Sequence, residues 1–133
     1  MTSWMLVTGF GAFPGVDDNP TARLASQLDG RCYGGATVEA RVLDVSYDRA
    51  ARQVRAMMAE RGWPTQVVHF GVATGARCVR VETRAVNRKA AAIADVDGHR
   101  CEAAAIDDRY PLDAVLTSTV DARALVEHLN ARG

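Results

Sequence analysis

Between Trp4 and Pro20 an apolar run, Trp4-Met5-Leu6-Val7, breaks at Thr8 into a loop rich in glycine and aromatic residues, Gly9-Phe10-Gly11-Ala12-Phe13-Pro14-Gly15. A run of strand length, a loop and then a helix start is how an α/β sheet builds a ligand site at the carboxyl end of its first strand. The helix start is legible in Asn19-Pro20-Thr21. Asn caps free N–H groups, and Pro is tolerated at the first helical position because its missing N–H would have no partner there. The glycines raise the idea of a phosphate cradle. The dinucleotide fingerprint, however, wants a third glycine three residues after the second, and here Gly15 comes one residue late and behind Pro14. Phe10 and Phe13 read two ways: as rings packed under the sheet edge, or as apolar walls for a small flat ligand.

The rest of the chain continues the α/β pattern. Ala22, Ala25 and Leu28 form the inward face of the first helix, which Gly30 ends, and Thr37 to Leu43 alternates as a strand with one face less buried. Ser46 caps a second helix whose Tyr47, Ala50, Ala51, Val54, Met57 and Met58 recur at helical spacing until Gly62 and Pro64 stop it. The two methionines read as core filler. Val67-Val68-His69-Phe70 matches the first run in length and character and is expected to be another central parallel strand. Arg77 to Ala85 is expected to be a strand with one charged face, since Val79, Val81 and Thr83 alternate with Arg80, Glu82 and Arg84. From Val86 to Pro111 the pattern dissolves. Ala90 to Ile93 fits a helical turn or a strand, and Asp97-Gly98 is a turn signal. Ala114-Val115-Leu116 is a third apolar run, and Asp121 caps a last helix with Ala122, Leu125, Val126 and Leu129 on one face. This order of elements favours an α/β sheet layered between helices, and residues 1–133 read as a single domain with enough apolar material, 48%, for one core.

Sixteen basic residues balance sixteen acidic ones, so there is no electrostatic footprint of a nucleic-acid or anionic-membrane binder. With no long apolar run and no secretory leader pattern, a cytoplasmic protein is expected. Cys32, Cys78 and Cys101 are odd in number and form no Cys-x-x-Cys pair, which argues against a disulfide framework and a zinc site; no metal and no cofactor is expected.

Few titratable residues point to chemistry by themselves. A lone carboxylate such as Glu82, between Val81 and Thr83, reads first as part of a solvated face or as an ion-pair partner of Arg80 or Arg84. His69 inside an apolar run reads as a satisfied core residue, His99 lies beside a turn, and His128 falls on the exposed side of the last helix. Nothing in the sequence positions His99 and Cys101 as a catalytic dyad.

Three motifs in order carry a resemblance. Thr8-Gly9-Phe10-Gly11-Ala12-Phe13-Pro14-Gly15 with Asn19-Pro20, then Gly71-Val72-Ala73-Thr74-Gly75-Ala76-Arg77, then Val81-Glu82-Thr83-Arg84-Ala85-Val86-Asn87 resemble the pyroglutamyl peptidase I (pyrrolidone-carboxylate peptidase) family of cysteine peptidases. Asp95-Val96-Asp97-Gly98 stands where that family has an Asp-Asn-x-Gly turn, and Ser118-Thr119-Val120 where it has Ser-Thr-Leu-Pro. The resemblance implies a three-layer α/β/α sandwich with a mostly parallel sheet, and removal of N-terminal pyroglutamate from peptides by a Cys-His-Glu or Cys-His-Asp set. Carried over by position, Glu82 matches the catalytic acid, and Phe10 and Phe13 match aromatic residues lining the pyroglutamate ring. The implied partners are peptides with N-terminal pyroglutamate, with room for a homo-oligomer, and no nucleic acid or membrane. Val72 departs from the glutamine common in bacterial members, and Thr83-Arg84 reorders the residues after the acid. The family's nucleophilic cysteine and catalytic histidine lie in motifs beyond the last helix, and no residue of this sequence matches either. On this reading the chain is incomplete at its C-terminus and has little or no activity alone. A non-catalytic pyroglutamate- or peptide-binding protein is the alternative.

Overall fold

The computed structural model describes residues 2–90 and 93–133. Its elements are β1 (Trp4–Phe10), α1 (Pro20–Leu28), β2 (Cys32–Tyr33), β3 (Ala36–Leu43), α2 (Arg49–Arg61), β4 (Gln66–His69), β5 (Arg84–Val86), β6 (Val115–Thr117) and α3 (Ala122–Arg132). They fall into two compact units, one built from Met1–Ala73 and Ala92–Arg100, the other from Thr74–Ala91 and Cys101–Gly133.

The first unit is a four-stranded sheet in the order β2-β3-β1-β4. β1 pairs in parallel with β3 on one side and β4 on the other, while β2 is an antiparallel addition to β3. Neighbouring residues of a strand point to opposite faces, and β1 uses both. Trp4 and Leu6 pack on Met57 with Val54 and Met58 of α2, whereas Val7 packs on Ala25 of α1 and on Val38, with Met5 and Leu28 beside them. Helices therefore cover the two faces of β1, and a strand buried on both sides has to be nearly continuously apolar. The fold is α/β, with helices layered on a mostly parallel sheet, as the order of elements leads one to expect.

The helix signals act as the residue types dictate. Asn19 caps α1 by accepting from the Thr21 N–H, with Pro20 in the first turn. At α2 the N-cap position is Asp48, which makes no side-chain cap bond; the Ser46 hydroxyl, expected to cap, instead accepts from the Arg49 N–H at 3.1 Å from two residues further out, and Gly62 (φ 80°) closes the helix by donating to the Met58 carbonyl. Asp121 caps α3 through the Ala124 N–H. Met57 is buried core and Met58 packs against it.

Two strand expectations need correction. β4 is parallel but lies at the edge of the sheet, and all four of its residues are exposed. An apolar run reports that a strand has company, not on how many sides. The strand expected over Arg77 to Ala85 is only its last part, β5, which begins at Arg84; residues 77–83 are irregular and Val79 is 87% exposed. Alternation needs a ladder to become a strand, and among the described residues only 84–86 find one, antiparallel on β6. Part of the ambiguous stretch Ala90 to Ile93 lies outside the described residues.

The second unit is organised around a side chain the sequence reading passed over. The Asn87 amide nitrogen donates to the carbonyls of Asp107 (3.0 Å), Tyr110 (3.1 Å) and Pro111 (3.0 Å), and its oxygen accepts from the N–H groups of Ile106 and Asp107. Arg88 forms a two-pronged ion pair with Asp113, whose backbone is left-handed at φ 66°. The irregular segment between Ala104 and Ala114 is thus wound around two adjacent residues at the end of β5.

Candidate functional site

The chain passes from β1 through α1 to β3, then through α2 to β4 on the opposite side of β1. That reversal makes a topological switch point between β1 and β4, and open α/β sheets bind ligands in the crevice outside the carboxyl ends of the strands at such points. Two segments leave there: the loop after β1 and the segment that starts at Phe70.

β1 runs on through Gly9 and Phe10, paired with Val42 and Leu43 of β3, past the break expected at Thr8, and this strand end and the loop after it are held in shape along their length. Gly9 can sit under the first turn of α1 because it has no side chain; a Cβ there would stand 2.1 Å from the Thr21 carbonyl oxygen. The Phe10 N–H donates to the buried Thr21 hydroxyl at 2.9 Å, the Gly11 N–H to the Leu43 carbonyl at 2.9 Å, and the Asn19 side chain to the Gly11 carbonyl at 3.1 Å. Phe13 and Val16 exchange both backbone hydrogen bonds across Pro14-Gly15. Proline followed by a glycine at φ 89° suits the two central positions of a tight turn. Gly15 therefore serves that turn, which accounts for its spacing from Gly11 without any phosphate. Phe10, the last residue of β1, and Phe13 in the loop are both half-buried.

On the β4 side, Phe70 donates its N–H to the Thr8 carbonyl at 2.8 Å, and the His69 ring meets the Thr8 hydroxyl, Nδ1 to Oγ1, at 2.6 Å. Thr8 is fully buried. His69 is exposed as a residue rather than core, yet the part of its ring turned to Thr8 is withdrawn from water, and this desolvation lowers its pKa below the ordinary 6.5. Val72 is half-buried.

Glu82 belongs to the second unit, in the irregular run before β5, and is exposed. Among the described residues no ion pair joins it to Arg80 or Arg84, and its exposure is that of the solvated face expected from spacing alone. Cys32 and Cys78 are exposed, Cys101 is half-buried, and all three are free thiols. His128 is exposed on α3.

The Asp95–Gly98 turn forms a clasp on the loop between β3 and α2. Asp95 is buried and accepts from the N–H groups of Tyr47, Asp97 and His99. Its desolvation acts to raise its pKa, but those backbone donors outweigh it and hold the carboxylate below its ordinary range. Asp97 is lowered first by the Ser46 hydroxyl, against desolvation, and further by Arg49. Asp95, Asp97 and His99 lie close enough to share a cation. Asp97 is engaged by Ser46 and Arg49 and Asp95 by three backbone N–H groups, so both carboxylates already serve in holding the turn.

A profile of the family described as pyroglutamyl peptidase matches residues 3–133, nearly the whole chain. The chain belongs to the pyroglutamyl peptidase family. Among curated relatives it is 36% identical over 129 residues to the pyrrolidone-carboxylate peptidase of Pyrococcus furiosus and 35% identical over 131 residues to that of Thermococcus litoralis. These alignments cover 97% of this chain but 61% and 57% of the relatives, so the chain spans about three fifths of their length. Solved structures agree. The pyrrolidone carboxyl peptidase of Thermococcus litoralis superposes with a TM-score of 0.91 at 34% identity, covering 98% of this chain and 58% of that one. An A199P mutant of the P. furiosus enzyme gives 0.90 at 35%, covering 97% and 61%. No helix among the described residues is long and apolar enough to cross a membrane. Within this pyroglutamyl peptidase fold, the sequence reading picked out Phe10 and Phe13 but missed Asn19 and Thr21 as side chains that brace the segment carrying them. The signal available was Asn19 itself, a cap that accepts from the Thr21 N–H and whose amide nitrogen is left free to reach back to the Gly11 carbonyl.

Proposed function

We propose that this chain carries the substrate-binding part of a pyroglutamyl peptidase, acting on peptides with N-terminal pyroglutamate. The observation that carries the reading is the braced aromatic segment at the carboxyl end of β1: Phe10, the last residue of the strand, and Phe13 in the loop after it are half-buried beside the switch point, on a stretch pinned by Asn19, Thr21 and Leu43. A pyroglutamyl ring is small, flat and apolar on its faces, with an amide at its edge. Two aromatic walls beside backbone polar groups suit it. Glu82 is assigned the role of the acid that orients a histidine, and that histidine in turn activates a cysteine thiolate for attack on the amide carbonyl. No residue among these 133 matches the nucleophile or the histidine, so the chain is expected to be inactive by itself.

A fluorogenic pyroglutamyl-coumarin substrate tests the catalytic part. No turnover is expected from the purified chain; turnover that disappears in Glu82→Gln would overturn the inactivity while supporting the acid. The second reading, a pyroglutamate binder without chemistry, is favoured by the completeness of the loop. Calorimetric titration with pyroglutamate or a pyroglutamyl dipeptide should give saturable binding that Phe10→Ala abolishes. Absence of binding by the wild-type chain would remove both roles for the loop.

A further inference from the structure

A buried hydroxyl in the middle of a core strand demands a reason. Thr8 follows Leu6 and Val7 in β1 with none of its surface exposed, and a valine would pack the same space without a polar atom to satisfy. Its hydroxyl has a partner in the His69 ring on β4, at Nδ1 and 2.6 Å. Thr8 and His69 are also the last paired positions of these two parallel strands. Beyond them the paths diverge: Gly9 and Phe10 finish β1 along β3 before the aromatic loop, and the chain leaves β4 at Phe70, which packs on the Val7, Ala25 and Val38 cluster.

β4 is a four-residue strand with a partner on one side only, and the end of such a strand is where fraying begins. A side-chain hydrogen bond at that last position closes the ladder where the backbone pattern stops. The bond also selects a state of the ring: either the Thr8 O–H donates to an unprotonated Nδ1, leaving the proton on Nε2, or Nδ1–H donates to Thr8. We propose that His69 is a positioning residue of the binding crevice: by bonding Thr8 it ties the carboxyl end of β4 to β1 two residues before that strand ends, and sets the spacing between the Phe10–Phe13 segment and the segment that starts at Phe70. The consequence for ligand binding rests on the pyroglutamate reading above; the tie itself does not.

The test uses the whole 133-residue chain and four versions of it: wild type, Thr8→Val, His69→Leu and His69→Asn. Thr8→Val keeps the shape and deletes the hydroxyl. His69→Asn puts an amide where Nδ1 stands and so restores the tie without the imidazole. Nitrogen-15 spectra of the ring should show His69 in one tautomer in the wild type, with an Nδ1 resonance that moves in Thr8→Val. Exchange of the Phe70 amide, which bonds the Thr8 carbonyl, should speed up several-fold in Thr8→Val and His69→Leu and return towards wild type in His69→Asn, a size set by the loss of one hydrogen bond. The Kd for pyroglutamate should rise about fivefold to tenfold in the first two variants and recover in the third. An unchanged ring resonance and unchanged Phe70 exchange in Thr8→Val would overturn the tie. If those change while affinity does not, the positioning role is wrong although the bond exists. If the wild-type chain does not bind pyroglutamate at all, the functional reading fails, and the ring and exchange data still decide the tie.

Discussion

The two units of this chain are built on different principles. Every buried residue among those described belongs to the first unit, from Trp4, Leu6 and Val7 on β1 to Ala25, Val38 and Met57 around them. None of the described residues of the second unit is buried: Leu116 is 77% exposed, Val115 50%, and the apolar side of α3 at Leu125, Val126 and Leu129 is also open. It is shaped by polar contacts instead, above all by Asn87 and the Arg88–Asp113 pair. Apolar burial is non-directional and cooperative, so the first unit should resist opening as a body. Hydrogen bonds in reach of water contribute little net stability each, so the second unit fixes a conformation more than it stabilises one.

The sharpest break in that contrast comes from Gly9. Gly9→Ala places a Cβ 2.1 Å from the Thr21 carbonyl oxygen and 2.5 Å from its carbon, backbone atoms that move only if α1 moves. A loss of more than about 3 kcal/mol is expected in urea unfolding, at or beyond the top of the usual range for overpacking. Leu6→Ala should cost about 2–5 kcal/mol, because Leu6 is fully buried between Trp4 of its own strand and Met57 of α2, and truncation leaves a cavity there. In both variants amide exchange along β5 and β6 should stay as in the wild type wherever the first unit remains folded. Equal acceleration in both units would mean that they share one core. Asn87→Ala is the converse experiment. It removes one side chain that holds five backbone groups, and it should release the segment from Ala104 to Ala114 to rapid exchange at a local cost of about 1–3 kcal/mol, with the main transition of the first unit unmoved. A fall in that transition would erase the distinction.

The same contrast explains what the sequence made legible. β1, α1, β3 and α2 were readable because burial imposes a period, and because caps such as Asn19 and Asp121 and the stop at Gly62 have local chemistry that does not depend on the rest of the fold. β4 was legible as a strand but not as an edge, since Val67 and Val68 look the same whether one neighbour or two lie beside them. Arg77 to Thr83 alternated like a strand and is not one, because strand pairing is a property of two segments and the sequence shows one at a time. At the site, Phe10 and Phe13 stood out by residue type. Asn87 did not: an asparagine that binds carbonyls some twenty residues away carries no local pattern. Thr8 looked like the end of an apolar run, and its significance is visible only once β4 is placed beside it.

The smallest effects are electrostatic, and their order on acidification separates the groups by position. His69 has its pKa lowered by desolvation, so as the pH falls through 6.5 the unfolded chain takes up a proton that the folded one resists. Stability of the first unit should therefore begin to decline just below that pH, with the loss complete once the folded pKa is passed. Thr8→Val leaves the desolvation and should keep this step, whereas His69→Asn should delete it. The second step comes from carboxylates lowered below 3.8: Asp95 and Asp97 in the first unit, Asp113 beside Arg88 in the second. Each contributes stability that is present above 3.8 and lost as the pH falls through its lower folded value. The Arg88–Asp113 pair is open to water, so added salt should weaken the part of this step that Asp113→Asn removes. Asp95 is different, because its lowering rests on three backbone N–H donors at a buried position rather than on an exposed ion pair, so its step should survive salt that suppresses the Asp113 one. Proton-linked unfolding at low and high ionic strength, read separately by amides of the Asp95–His99 turn and of the segment after Asn87, measures the difference. Equal salt sensitivity at the two sites would show that the Asp95 turn is no better shielded from solvent than the polar hub.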